Sequence, residues 1–182
     1  MAAVLTQLHR KALEVAVVLT NNPEAEGIQI AKQASIPCEI IDPGNYTDRE
    51  AFDAAVVACL GRYRPDLTVL AGFMRILTPV FTEQIRAINL HPSLLPRHKG
   101  LRAIEKSYED GYDEGGVTIH WVSAELDGGE TILQKHISKK GLSFAQYEEK
   151  VKRAEKEALV EAIRKVLTSC ENGRVITFIQ SS

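Results

Sequence analysis

Asn89 and His91 stand two residues apart in the apolar segment Ile88 to His91, which Pro92 stops. If that segment is a strand, its alternation puts both side chains on one face. An amide donor and an imidazole so placed can both reach one reacting oxygen. Taken alone, the pair has a plainer reading that outweighs this one, polar groups satisfying the end of a buried strand. Glu125-Leu126-Asp127-Gly128-Gly129 is a hairpin turn by composition; equally, it is a carboxylate held on a tight turn to orient and charge an imidazole. His120, between Ile119 and Trp121, reads as a supporting residue rather than a ligand, while His98 and His136 have no partner that spacing identifies. A metal site needs several such side chains converging, and no spacing here supplies one.

The surrounding pattern is that of alternating strands and helices. Helical spacing over Ala2 to Lys11 is followed by the β-branched run Leu13 to Leu19, a strand covered on both faces. A helix is expected over Glu24 to Ala34 and a strand over Ile36 to Ile41. Thr47 with Glu50 has the form of a capping box opening a helix that runs to about Tyr63. Leu67 to Phe73 and Ile88 to His91 are the next strands, with a short helix at Pro79 to Ile85 between them. Ala103 to Asp110 reads as helix. Val117 to Val122 and Thr131 to Ile137 read as strands joined antiparallel through Asp127-Gly128-Gly129. A long amphipathic helix from Phe144 to about Ser169 and a short strand at Arg174 to Phe178 close the chain. This order implies a doubly wound, Rossmann-like α/β fold, with a mostly parallel sheet, an antiparallel edge and one domain over residues 1–182. In such sheets ligands bind beyond the carboxyl ends of the strands, where Gly72 to Leu77 and Asn89 to Pro96 fall.

Composition bounds the function class. At 182 residues the chain suits one domain, and 45% hydrophobic with 25% charged residues excludes a disordered or fibrous chain. With 22 basic and 24 acidic residues the net charge is -2, against a protein whose main partner is nucleic acid. No apolar run approaches the roughly 18–20 residues that span a bilayer. Three scattered cysteines form neither a metal pattern nor a disulfide framework. A cytoplasmic protein with small-molecule partners, as monomer or homodimer, is the expectation.

Together, AGFMRIL (Ala71 to Leu77), NLHPSLLP (Asn89 to Pro96) and ELDGG (Glu125 to Gly129) resemble the 10-formyltetrahydrofolate-dependent formyltransferases, over about Val15 to Glu157. Two neighbours separate from the best match. Methionyl-tRNA formyltransferases add a basic tRNA-binding domain, and formyltetrahydrofolate deformylases carry a second His after the catalytic one, where this chain has Pro92. The resemblance implies the formyltransferase fold and transfer of a formyl group from 10-formyltetrahydrofolate, as cosubstrate, to the glycine amine of glycinamide ribonucleotide in purine biosynthesis. Asn89, His91 and Asp127 match the family's catalytic trio: Asn89 and a protonated His91 would hold the oxyanion, and Asp127 would keep His91 charged and help move protons. Met74, Arg75, Ile76 and Leu77, with Asn89 and Asp127, match the folate site, and Glu155 a contact to the ribonucleotide. No metal is implied. The alternatives are a folate-binding, catalytically impaired domain and a related folate enzyme such as the deformylase.

The family places a strand and a Gly-x-Gly-Ser-Asn phosphate loop before the helix on which this sequence opens. The expectation is therefore an uncovered neighbour beside Leu13 to Leu19, and weaker binding of ribonucleotide than of folate, with Lys152 a candidate for residual anion binding.

Overall fold

A computed structural model of the chain describes residues 1–73, 75–168 and 175–180. Its strands are Glu14–Thr20 (β1), Cys38–Ile40 (β2), Leu67–Leu70 (β3), Ala87–His91 (β4), Glu114–Trp121 (β5), Thr131–Ser138 (β6) and Val175–Gln180 (β7). They form one seven-stranded sheet in the order β2-β1-β7-β3-β4-β5-β6. The pairings of β1 with β2, β1 with β7 and β3 with β7 are parallel, and β5 with β6 is antiparallel. This is the mostly parallel α/β sheet with an antiparallel edge that the element order implies. Contacts within the chain gather in two compact units, residues 1–88 with 169–182, and residues 89–168.

In the first unit the β-branched run of β1 is buried throughout from Val17 to Thr20. It has a parallel neighbour on each side, with Val18 opposite Cys38 and opposite Phe178. The expected uncovered neighbour is thus corrected: β7 fills that position, and β1 presents no open row of backbone donors and acceptors. Thr177, which β7 brings inside, is satisfied: its hydroxyl donates to that of Thr68 in β3 at 3.0 Å. Arg174, expected to begin this strand, lies outside the described residues.

Three helices of this unit are Ala2–Gln7 (α1), Glu26–Gln33 (α2) and Arg49–Tyr63 (α3). On α3, Phe52, Val56, Cys59 and Leu60 recur at helical spacing and are buried. Its cap is not the expected Thr47. Asp48 accepts from the Ala51 amide at 2.8 Å, and the Thr47 hydroxyl donates to Asp48. Strand β3 ends at Leu70 rather than Phe73, and Thr78 leads into the short helix Pro79–Thr82 (α4).

In the second unit, Phe144–Leu167 (α6) packs on β5, β6 and the helix Ala103–Glu109 (α5). Tyr147, Val151, Ala154 and Ala158 follow the i, i+4, i+7, i+11 stripe and are buried. Ser143 and Gln146 close a reciprocal capping box at its start. Gly115 in β5 makes the close packing possible, because a Cβ there would lie 1.9 Å from the Tyr147 hydroxyl.

Candidate active site

β4 delivers the first two functional side chains. Its alternation sets Asn89 and His91 on one side, and His91 is buried. Asn89 Nδ2 lies 3.2 Å from His120 Nε2 and donates to Asp127 Oδ1 at 3.3 Å. The tautomer of His120 follows from its other partner. The Trp121 carbonyl, 2.8 Å from Nδ1, can only accept, so His120 carries a proton there; Nε2 accepts from Asn89 when bare and donates to Asp127 Oδ1, 3.5 Å away, when protonated. Asp127 Oδ2 lies 3.4 Å from His91 Nδ1. Asn89, His91, His120 and Asp127 therefore form one connected cluster.

Asp127 reaches it because of the backbone that carries it. The segment between β5 and β6 is longer than the tight turn read from composition, and Asp127 sits within it in the left-handed region at φ 47°. Asp tolerates that conformation better than most residues. Two residues on, the chain presses against β5: a Cβ on Gly129 would lie 1.8 Å from the Trp121 carbonyl oxygen. Sterics therefore require a glycine at position 129, where the neighbour is backbone that cannot step aside.

The segment after β4 closes the site with backbone groups. Thr118 donates to the Ser93 carbonyl at 2.7 Å and accepts from the Leu95 amide at 3.0 Å, and Gln134 donates to the Leu95 carbonyl at 2.9 Å. So anchored, the segment brings the His98 carbonyl to His91 Nε2 at 2.9 Å and the Gly100 amide to Asp127 Oδ2 at 2.9 Å. These two contributions come from main-chain atoms, which residue type does not reveal.

The electrostatics follow. Burial tends to raise the Asp127 carboxyl, but His120, the Gly100 amide and His91 outweigh it and hold the group at about 2. Burial pulls the His91 imidazole below its ordinary range, and Asp127 and the His98 carbonyl push it back only in part. In its neutral form His91 carries its proton on Nε2, facing the carbonyl. Its bare Nδ1 faces an ionised carboxylate, and that arrangement gains an attraction when Nδ1 takes up a proton.

The remaining expected residues are placed as follows. In the first unit, the Arg75 guanidinium lies over the Phe52 ring at 4.8 Å, Leu77 is half-buried and Ile76 exposed; Met74 lies outside the described residues. In the second, Glu155 is half-buried on α6, and burial raises its carboxyl, Lys152 and Lys156 opposing. Lys152 is exposed and ion-paired with Glu148 at 2.8 Å. Neither shares a hydrogen bond with the trio among the described residues. His136 pairs with Glu114 at the surface. Among the described residues no group of His, Cys, Asp and Glu could hold a metal ion, and no helix is long and apolar enough to cross a membrane.

A fold of this kind with an Asn-x-His strand end facing an Asp-Gly-Gly loop defines a formyl transferase, and the chain belongs to that family, whose model matches residues 1–163. It is similar to the phosphoribosylglycinamide formyltransferase of Escherichia coli (strain K12), with 41% identity over 125 residues, 68% of this chain and 59% of that protein. It is also 34% identical over 177 residues to the human trifunctional purine biosynthetic protein adenosine-3, covering 93% of this chain and 18% of that protein. Among solved structures, the phosphoribosylglycinamide formyltransferase of Campylobacter jejuni superposes with a TM-score of 0.89 at 46% identity, over 91% of this chain and 90% of that one. The glycinamide ribonucleotide transformylase 1 of Symbiobacterium toebii does so at 0.87 and 32%, over 96% and 85%. The chain spans 59% of the Escherichia coli relative's length.

Proposed function

We propose that this chain, as a single formyltransferase domain over residues 1–182, transfers a formyl group from 10-formyltetrahydrofolate to the glycine amine of glycinamide ribonucleotide. The observation that carries the reading is the convergence of Asn89, His91 and Asp127 from two separate segments onto one cluster, in a chain whose relatives bear that enzyme's name. The amine lone pair adds to the formyl carbon and the carbonyl pair moves onto oxygen. The Asn89 amide turns a donor to that oxyanion, a contact worth on the order of 10²–10³ in rate. Neutral His91 takes the proton released by the attacking nitrogen at Nδ1 and becomes an imidazolium held between Asp127 and the His98 carbonyl. As the bond from carbon to N10 breaks, that proton passes to N10, directly or through water, and tetrahydrofolate leaves.

For substrate binding, the segment Met74, Arg75, Ile76 and Leu77 would hold the pterin with backbone hydrogen bonds and apolar side chains. Glu155 would contact the ribonucleotide, and Lys152 would add to its binding only by leaving Glu148. No metal takes part in this scheme, the protein works in the cytoplasm, and its partners are the two small molecules. The test follows tetrahydrofolate formation with and without glycinamide ribonucleotide. Release that depends on the ribonucleotide and yields its formyl derivative supports the reading. Release of formate without it would mark a deformylase, and folate binding with no release an impaired domain.

A further inference from the structure

The polar cluster of His98, Asp110 and Lys139 takes no part in the chemistry above, yet the backbone of one of its members touches the proposed catalytic imidazole. His98 Nε2 lies 2.6 Å from Asp110 Oδ2, and the carbonyl oxygen of the same His98 accepts from His91 Nε2 at 2.9 Å. His98 sits in the left-handed region at φ 57°, a conformation uncommon for His that needs external support.

The support is built from the end of α5. Asp110 caps that helix, and Lys139 binds its last turn, donating to the carbonyl of Ser107 at 2.7 Å, to that of Asp110 at 3.2 Å, and to the Asp110 carboxylate. A cation on the carbonyl end of a helix is favourably placed. The Tyr112 amide donates to Asp110 Oδ1, the oxygen that Lys139 also binds, and Arg97 approaches Oδ2 at 3.5 Å. Lys139 and Asp110 are both largely buried. Burial would raise the Asp110 carboxyl, but Lys139 and His98 hold it at about 2. Asp110 is thus a fixed anion, and the proton in its contact with His98 belongs to the imidazole.

We infer that His98 is a positioning residue: anchored through its side chain to the Asp110–Lys139 pair, it holds its own carbonyl oxygen against His91 Nε2 and so keeps Nδ1 as the nitrogen that exchanges protons with substrate. The inference rests on His91 being the catalytic imidazole. The charged and titratable groups facing His91 are Asp127, His120 and His98. Because the carbonyl contact raises the His91 imidazole, loosening it lowers the pH at which His91 loses activity by protonation.

The test compares His98→Ala, His98→Gln and His91→Ala in the full chain. Gln carries an amide where His carries Nε2, and both replacements meet the same backbone conformation. Their difference therefore isolates the anchoring hydrogen bond. His98→Ala is expected to lower kcat roughly ten-fold, to leave KM for both substrates nearly unchanged, and to move the acid limb of the kcat profile to lower pH. His98→Gln should recover most of the loss. Wild-type kcat and profile in His98→Ala, with His91→Ala inactive, overturns the inference and leaves the site reading standing. Equal losses in Ala and Gln also overturn it, pointing to packing. An active His91→Ala refutes the site reading itself. Should His98→Ala fail to fold, ¹⁵N spectra of the wild-type histidine rings decide. A proton on His98 Nε2 supports the anchor, and a neutral ring protonated at Nδ1 overturns it.

Discussion

Asp53 and Thr78 meet through a single carboxylate oxygen: Oδ2 of Asp53 accepts from the Thr78 amide at 2.6 Å and from its hydroxyl at 2.7 Å. Asp53 is buried on α3, beside the Phe52 ring that Arg75 covers. Two adjacent residues of one helix thus hold both Arg75 and the residue that follows Leu77. The segment proposed to bind the pterin is set by α3, although its own residues carry little regular structure. Asp53→Ala would strand the half-buried amide and hydroxyl of Thr78, a loss of roughly 1–3 kcal/mol. It should lower Tm by several degrees and raise KM for the folate more than it lowers kcat. An unchanged folate KM in a folded variant would remove this segment from the folate site.

For the trio, Asn89→Ala, His91→Ala and Asp127→Ala should each lower kcat on the order of 10²–10³ with the fold retained. Circular dichroism checks the fold and single-turnover rates check the chemistry. Because the three act on one proton and one oxyanion, the double variant His91→Ala with Asp127→Ala should lose far less than the product of the single losses.

His120→Gln should cost less than His91→Gln under the same saturating substrates. A Gln amide can still meet Asn89 or Asp127, replacing the neighbour that His120 provides, whereas no amide can replace an imidazole that must gain and lose a proton. The reverse ordering would assign the chemistry to His120.

Asp127 links the site to acid stability. Its folded pKa of about 2 is below the ordinary 3.8, so its ionised form stabilises the fold above the unfolded value, and that contribution disappears as pH falls through the folded one. It amounts to about 2 kcal/mol. Urea unfolding of wild type should lose stability between about pH 4 and pH 2, and Asp127→Asn should lose measurably less there, the remainder coming from groups such as Asp110 that are held equally low. An identical pH dependence in the two proteins would contradict the assignment.

Gly129→Ala should be far more damaging than its size suggests. Its Cβ would fall within 1.8 Å of the Trp121 carbonyl oxygen, a backbone atom of β5 that cannot step aside as a flexible side chain can. The Asp127 segment must move, and with it the carboxylate. The expected result is a Tm lowered by several degrees and a kcat close to that of Asp127→Ala, since 1 Å of misplacement can cost about 10²-fold.

The sequence by itself determined the alternation of elements, the strand ends bearing Asn89 and His91, and the loop bearing Asp127. Those features are written in side-chain type and local period: β-branched runs, helical stripes, and glycines where a backbone passes close to another. The family motifs lie in the same segments, which is why a candidate trio could be named from them. What only the tertiary structure decided rests on groups that residue type does not distinguish. Every residue has a carbonyl and nearly every one an amide, so nothing in the letters marks the His98 oxygen or the Gly100 nitrogen as the partners of His91 and Asp127. The pull of burial on the His91 imidazole is a property of the whole packed unit, and it outweighs the push of the Asp127 carboxylate and the His98 carbonyl. The neighbours of β1 were hidden for the same reason. The apolar run states that the strand must be covered, but β7, from the far end of the chain, is matched to it by register and packing over more than 150 residues of separation, a distance at which local sequence pattern carries no information.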